Sequence, residues 1–131
     1  MGKGVEFLKE AGVYFIATSD DGQPQLRPFG SNLEYNGRFY FSMGRSKEVF
    51  RQMTANPKVS LAAIKPTRDW IRIIGEAVLD DSAEVRDYLF ENSPMIRNIY
   101  KDNPSELALF YLENASCTIN ESGKAPEVID L

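Results

Sequence analysis

Short segments in which apolar and polar residues alternate, separated by turn residues, dominate the chain and favour a mainly β protein. Asp20-Asp21-Gly22 and Asn36-Gly37 are hairpin signals that connect the first three segments into an antiparallel meander. Six segments have this strand character: residues 13–18, 25–35, 38–43, 58–64, 70–79 and 107–119.

Helical spacing of apolar residues interrupts these strands at residues 3–11, 46–56 and 82–91, with a further turn or two at 95–100. Ser46 is predicted to cap the second helix, and Pro57 follows its end. Six antiparallel strands are too many for a flat sheet in a chain of this length. We therefore predict a closed or split six-stranded antiparallel β-barrel with small helices.

The length of 131 residues predicts a single domain that spans residues 1–131. An apolar fraction of 43% is enough to build a core and is not typical of a disordered chain. Segment 122–131 contains glycine and proline and has no periodicity. We predict that it forms a surface extension.

Charge and cysteine content limit the partners and the compartment. The net charge of −4 and the lack of a basic stripe argue against nucleic acid and against an anionic membrane surface. The apolar run at 11–17 is too short to span a bilayer. The single cysteine, Cys117, cannot form an internal disulfide, which fits the reducing cytoplasm. We therefore expect a cytoplasmic protein that binds neither membrane nor nucleic acid.

Several kinds of active site are excluded by composition. The chain has no histidine, so it cannot build a Ser-His-Asp or Cys-His catalytic centre or a histidine-ligated metal or haem. Neither of the glycine-rich nucleotide-binding motifs occurs. Cys117 lies in an apolar strand without a neighbouring cation, which predicts a buried and unreactive thiol. The sequence assigns no catalytic residue and no metal ligand.

Two features leave a binding site open. Arg45 and Lys47 flank Ser46 at a predicted helix start, and Arg27 lies on a neighbouring strand, so these residues could hold a phosphate. From these residues alone, an ordinary capped helix with solvated cations is the favoured interpretation. Pro28 interrupts its strand, which indicates either a bulged edge strand or an opening for a flat ligand.

The order of five motifs, followed by the strand LALFYLENASCTI, resembles the pyridoxamine 5′-phosphate oxidase-like family of FMN-binding split barrels. These motifs are PQLRPF (24–29), FYFS (39–42), RSK (45–47), NPKVSL (56–61) and WIRIIGEA (70–77). The resemblance implies a homodimer of six-stranded split barrels with FMN at the subunit interface. It also implies that Arg27, Ser46 and Lys47 hold the phosphate, with Arg45 one place away from the family pattern.

The resemblance further implies which residues meet the flavin ring. Pro28 and Phe29 would lie beside it, the backbone of Phe41 and Ser42 would meet its edge, and two residues would line the cofactor from another strand: Trp70 and Arg72. Trp70 stands where the oxidase has a polar amide.

Two departures from the family pattern concern the substrate. Ser46 stands where the true oxidases have arginine, and segment 122–131 lacks the Trp, Arg and His that bind the vitamin phosphate in those enzymes. We therefore expect a short family member that does not oxidise pyridoxamine phosphate. Some short relatives resemble nitroimidazole-resistance reductases, which usually carry a histidine near the flavin, and this chain has none.

The resemblance predicts an FMN-dependent oxidoreductase that passes electrons from a reduced nicotinamide or another donor to a small acceptor. Two alternatives stay open at this point. One is a non-catalytic flavin carrier or sensor, and the other is a relative that binds the deazaflavin F420. The protein would supply position and tuning, because a bound flavin carries the redox chemistry itself.

Overall fold

Strands and short helices alternate along the chain in the computed structural model, which describes residues 2–131. The helices are α1 (Lys3–Ala11), α2 (Glu48–Ala55), α3 (Ala83–Asn92) and α4 (Pro94–Tyr100), and a 3₁₀ helix covers Pro104–Glu106. The strands are β1 (Tyr14–Asp20), β2 (Gln23–Phe29), β3 (Leu33–Tyr35), β4 (Arg38–Gly44), β5 (Lys58–Ile64), β6 (Trp70–Leu79), β7 (Leu107–Asn120) and β8 (Glu127–Ile129).

All strands belong to one antiparallel sheet in the order β2-β1-β5-β6-β7-β4-β3, with β8 added to β7. The two ends of this order approach each other around a shared core. The ring of Phe29 on β2 meets the ring of Phe41 on β4 edge-on, with 6.2 Å between centroids. No ladder joins β2 to β3 or β4 within residues 2–131. The sheet is therefore a barrel that is split between β2 and β4.

The expected number of six strands is wrong, because the described residues form eight. Segment 25–35 divides into β2 and β3, and residues 30–32 leave the ladder where the hydroxyl of Tyr14 donates to the carbonyl of Ser31. Pro28 stays within β2, opposite Phe15 and without a register shift. Proline is tolerated there because β2 is an edge strand, so the interpretation as a bulge is also wrong.

Segment 122–131 does more than extend over the surface, which corrects that prediction. Its residues 127–129 form β8, which pairs with residues 117–119 of β7. The amide of Gly4 donates to the carbonyl of Asp130 at 3.0 Å, and Leu131 packs partly buried against the core. Three residues of strand are too few for a periodic pattern, so alternation could not reveal them.

The core lies inside the curled sheet, and a smaller second cluster lies under α3 and α4. Buried and exposed residues alternate along strand β5, where Val59, Leu61 and Ala63 point inward and the residues between them are exposed. Cys117 is fully buried in this core, and burial raises the pKa of its thiol to about 11, with Asp130 adding to the effect. The prediction of a buried thiol is confirmed.

No helix within residues 2–131 is long and apolar enough to cross a membrane.

One ion pair holds α2 against the hairpin formed by β1 and β2. The guanidinium of Arg51 on α2 contacts the carboxylate of Asp20 at 3.0 Å and that of Glu48 at 2.6 Å. The hydrogen bond from Arg51 lowers the pKa of Asp20. A carboxyl whose pKa is lowered by folding stabilises the fold above its unfolded pKa and loses that contribution as the pH falls through its folded pKa.

We predict that Asp20→Asn lowers the free energy of unfolding near pH 7. The difference from the wild type should shrink as the pH falls below about 4, because the wild-type carboxyl then becomes protonated as well. Urea unfolding at a series of pH values measures this difference. Asp21→Asn changes the neighbouring exposed carboxylate and is the control. A difference for Asp20→Asn that stays constant down to low pH would contradict the prediction.

Candidate functional site

Arg27 reaches from the edge strand β2 across β1 to helix α2. Its guanidinium donates to the carbonyl of Ile16 at 3.2 Å, to Oγ1 of Thr18 at 2.9 Å and to Oε1 of Gln52 at 2.6 Å. All three acceptors are neutral, and within residues 2–131 no carboxylate lies at ion-pair distance from Arg27. Burial lowers the pKa of Arg27, although an arginine side chain stays protonated. A partly desolvated cation with only neutral acceptors attracts an anion.

Thr18 and Gln52 hold this guanidinium in place. Their side chains are only 3% and 5% exposed, and Thr18 donates its own hydroxyl to Oε1 of Gln52 at 2.6 Å. Sequence reasoning missed both residues. The available signal was a polar residue on an otherwise apolar helix face, because Gln52 lies between Val49 and Met53 on the buried side of α2.

The start of α2 differs from the prediction. The helix begins at Glu48, Lys47 occupies the cap position, and no side chain caps the helix, so the prediction of Ser46 as the cap is wrong. The hydroxyl of Ser46 instead donates to the carboxylate of Glu106, whose Oε2 also lies 3.3 Å from the Ser46 amide nitrogen. The amide of Lys47 donates to the carbonyl of Gly44 at 3.0 Å, so it is not among the free amides at the helix start.

Arg45 makes structural contacts just before the start of α2. Its guanidinium pairs with Asp81, donates to the carbonyl of Ser105 at 3.1 Å and lies over the ring of Phe50 at 5.1 Å. These contacts join β4 to the segments that precede α3 and β7. The charge of Arg45 is therefore neutralised by a carboxylate, and its contact with a cofactor stays a prediction.

Lys47 has a different environment from Arg45. Its side chain is exposed, and none of the ion pairs among residues 2–131 includes it. It lies five residues before Gln52 on the chain that forms α2, which is about 7.5 Å along a helix axis. The charge of Lys47 therefore lies at the start of the helix whose Gln52 accepts a hydrogen bond from Arg27.

The split of the barrel lies between β2, which carries Arg27, and β4, which ends shortly before Lys47. Phe29 packs on Tyr14 with 6.1 Å between centroids and borders the opening from β2. Phe41 is fully buried on β4, while the amide of Ser42 donates to Oγ of Ser31 at 3.2 Å. Strand β3 pairs only with residues 38–40, so the backbone beyond Phe41 has no ladder partner on this side. A planar ligand could reach this backbone edge.

The remaining three predicted residues lie on the outer face of the sheet. Pro28, Phe15, Ala62 and Arg72 form one row across β2, β1, β5 and β6. Three strand spacings separate the ends of this row, which is about 14 Å. The guanidinium of Arg72 lies 5.0 Å from the ring of Trp70. Pro28, Trp70 and Arg72 are therefore separate from the group around Arg27 within one chain.

This outer face is apolar and exposed over four strands. Leu26 and Ile74 are 66% and 53% exposed, and Phe15 and Ile64 are also among the exposed large apolar residues. A shallow cavity of about 330 Å³ lies on the same face, lined by Phe15, Ala62, Ala63, Ile64 and Trp70. Contiguous apolar surface of this kind marks an interaction site on a folded protein.

The fold agrees with a comparison against protein families. The family model of pyridoxamine 5′-phosphate oxidase matches residues 2–112. The chain belongs to the pyridoxamine 5′-phosphate oxidase-related family. The resemblance based on motif order is thereby confirmed, and the matched range contains all ten predicted cofactor residues.

Solved structures include a similar member of this family. A NimC/NimA family protein from Clostridium acetobutylicum shares 36% identity with this chain and superimposes with a TM-score of 0.93. The match covers 98% of this chain and 90% of that protein. The similarity therefore extends over nearly the whole fold.

Two more distant structures share the fold alone. A pyridoxamine 5′-phosphate oxidase-related, FMN-binding protein from Nostoc punctiforme matches with 17% identity, a TM-score of 0.65 and coverage of 97% of this chain and 91% of its own. A heme-binding protein from Mycobacterium smegmatis matches with 15% identity, a TM-score of 0.74 and coverage of 96% and 57%. No curated protein matches the sequence. Because one fold carries both cofactors, the side chains of this family member must decide its ligand.

We predict that Gln52→Leu destabilises the fold by about 1–3 kcal/mol, because Arg27 and Thr18 lose their shared buried acceptor. Urea unfolding measures the loss. In an Arg27→Ala background the same substitution should cost less, since the guanidinium that needs the acceptor is gone. Equal losses in the two backgrounds would show that Arg27 and Gln52 are not coupled.

Proposed function

We propose that the protein is an FMN-dependent oxidoreductase that passes electrons from a reduced nicotinamide or another donor to a small acceptor. The observation that carries the proposal is the cation of Arg27, which has only neutral acceptors and lies two residues before Phe29, whose ring contacts Phe41 on β4. Membership of a family with FMN-binding relatives supports the choice of ligand.

The residues present fit a flavin phosphate in part. Arg27 supplies a planar donor and Lys47 a mobile point charge, and neither is neutralised by a carboxylate among residues 2–131. Arg45 and Ser46 fit less well, because Asp81 and Glu106 engage them. The phosphate would therefore depend mainly on Arg27 and Lys47.

The flavin ring would lie in the split of the barrel. Phe29 offers an apolar ring at one side of the opening, and the backbone of Phe41 and Ser42 offers hydrogen-bonding groups at the other. A flavin has an apolar ring face and a polar pyrimidine edge, so this pair of surfaces suits it. The Ser42 amide would first have to release its present hydrogen bond to Oγ of Ser31.

A homodimer would complete the site. Trp70 and Arg72 lie on the opposite face of the sheet from the side chain of Arg27, so one chain does not bring both groups to a single ligand. The exposed apolar face that carries Trp70 has the composition of a subunit interface. We propose that this face meets a second copy, and that Trp70 and Arg72 of one subunit line the flavin held by the other.

Bound FMN would supply the redox chemistry, and the side chains would only bind and orient the reactants. This division suits a chain without histidine. Trp70 presents an indole ring on which a small planar acceptor could stack. Anaerobic mixing of the flavin-loaded protein with reduced nicotinamides tests the activity. A flavin that stays oxidised with these and other physiological donors would favour a carrier or sensor instead.

We predict that the purified protein shows the visible absorption spectrum of oxidised flavin after incubation with FMN. Lys47→Ala and Arg27→Ala should each weaken FMN binding by about 1–3 kcal/mol, because each removes a charged donor from the phosphate. Titration of flavin fluorescence measures the affinity. Lys124→Ala, in the exposed segment before β8, is the control. Unchanged affinity in both test variants would refute the phosphate site, and a protein that binds no flavin would refute the proposal.

We predict that the protein is a dimer in solution and that Ile74→Glu makes it a monomer at micromolar concentration. The added carboxylate would be buried without a partner in the interface that this apolar face forms. Sedimentation velocity measures the mass. Met95→Glu is the control, since Met95 on α4 is 69% exposed and lies outside that face. A monomeric wild type, or a dimer that survives Ile74→Glu, would contradict this interface.

A further inference from the structure

Glu106 places a carboxylate at the start of α2, where the family resemblance implies a cofactor phosphate. It lies at the end of the 3₁₀ helix, half-buried, just before β7. Its Oε2 accepts from the hydroxyl of Ser46 and lies 3.3 Å from the Ser46 amide nitrogen. Gly44 permits this approach, because a Cβ at that position would lie 3.0 Å from the same oxygen.

The contacts of Glu106 are those that an anion makes with a binding site. A hydroxyl and a backbone amide converge on one oxygen, and the first amides of α2 together with Lys47 add positive potential nearby. A phosphate oxygen would use the same two donors of Ser46. Carboxylate and phosphate cannot both occupy them.

The local charges make this competition stronger. The cation of Arg45 is already neutralised by Asp81, which leaves Lys47 as the free cation at the helix start within residues 2–131. Glu106 brings one negative charge to that place. A flavin phosphate carries nearly two, and like charges a few ångströms apart near a protein surface repel each other.

We infer that Glu106 is a specificity-determining residue that occupies the phosphate subsite and competes with the phosphate of the cofactor. The inference rests on the proposed function, because it assumes that a flavin phosphate binds beside Lys47. Glu106 then weakens the binding of FMN without affecting riboflavin, which has the same ring system and no phosphate. The protein therefore discriminates less between the two flavins than its donors alone would allow.

The affinities of FMN and riboflavin for the wild type and for Glu106→Gln test this inference. Glutamine keeps an oxygen that can accept from Ser46 and removes the charge. We expect FMN to bind about tenfold more tightly to the variant, from loss of a repulsion of about 1.4 kcal/mol, and riboflavin to bind equally to both. Fluorescence titration measures the two dissociation constants, and thermal unfolding checks the fold.

Glu127→Gln is the matched control. It removes the same charge from an exposed position on β8, which pairs with the far end of β7 at Ile119. Its affinities for both flavins should equal those of the wild type. Glu106→Ala is a second test variant, and it should tighten FMN binding as well, because the effect depends on charge and not on the glutamine oxygen.

The outcomes separate this inference from the proposed function. If the wild type binds FMN and the two Glu106 variants bind it no more tightly, the inference is wrong while the proposed function stands. Equal tightening for riboflavin and FMN would also overturn it, since the effect would not then concern the phosphate. If neither flavin binds to any of these proteins, the proposed function itself fails, and the inference fails with it.

Discussion

The cation of Arg27, held by neutral acceptors, is the constraint on which the rest of the site depends. Its guanidinium bonds the carbonyl of Ile16, the hydroxyl of Thr18 and the amide oxygen of Gln52, so one side chain joins β2, β1 and α2. A carboxylate in place of Gln52 would form a stronger pair but would cancel the charge. The neutral amide fixes the position of the guanidinium and leaves its positive potential for a ligand.

The open barrel gives that charge a place to act. Because β2 and β4 do not pair, the backbone beyond Phe41 faces an opening whose other side is Phe29. A closed ladder would have used the same backbone groups for sheet bonds. The edge-strand position of Arg27 and the unpaired backbone of β4 therefore follow from one feature of the topology. The strands at the two ends of the sheet approach each other without pairing.

Much of this fold follows from local sequence patterns. The predictions are wrong where contacts between residues distant in the sequence determine the structure. Alternation and hairpin dipeptides locate the strands, but the break after Phe29 depends on the bond from Tyr14 to Ser31, 17 positions apart. The cap assigned to Ser46 fails because Glu106, 60 positions away, takes its hydroxyl. Arg27 is singled out by its motif, whereas Gln52 is signalled only as a polar residue on an apolar helix face, and its bonds to Thr18 and Arg27 depend on the packing of β1 and α2.

The charges at the start of α2 show why a motif match alone does not define the site. The sequence places Arg45, Ser46 and Lys47 together, which suggests three ligands for one phosphate. In the folded chain Arg45 forms an ion pair with Asp81 and Ser46 donates a hydrogen bond to Glu106, while Lys47 stays exposed. Both acidic partners come from segments that precede α3 and β7, so loops that are distant in the sequence set the charge at the helix start. An anion that binds here must therefore displace a carboxylate of the protein itself. Its affinity depends on how much more tightly these donors hold the anion than they hold the carboxylate, and not on the strength of the donors alone.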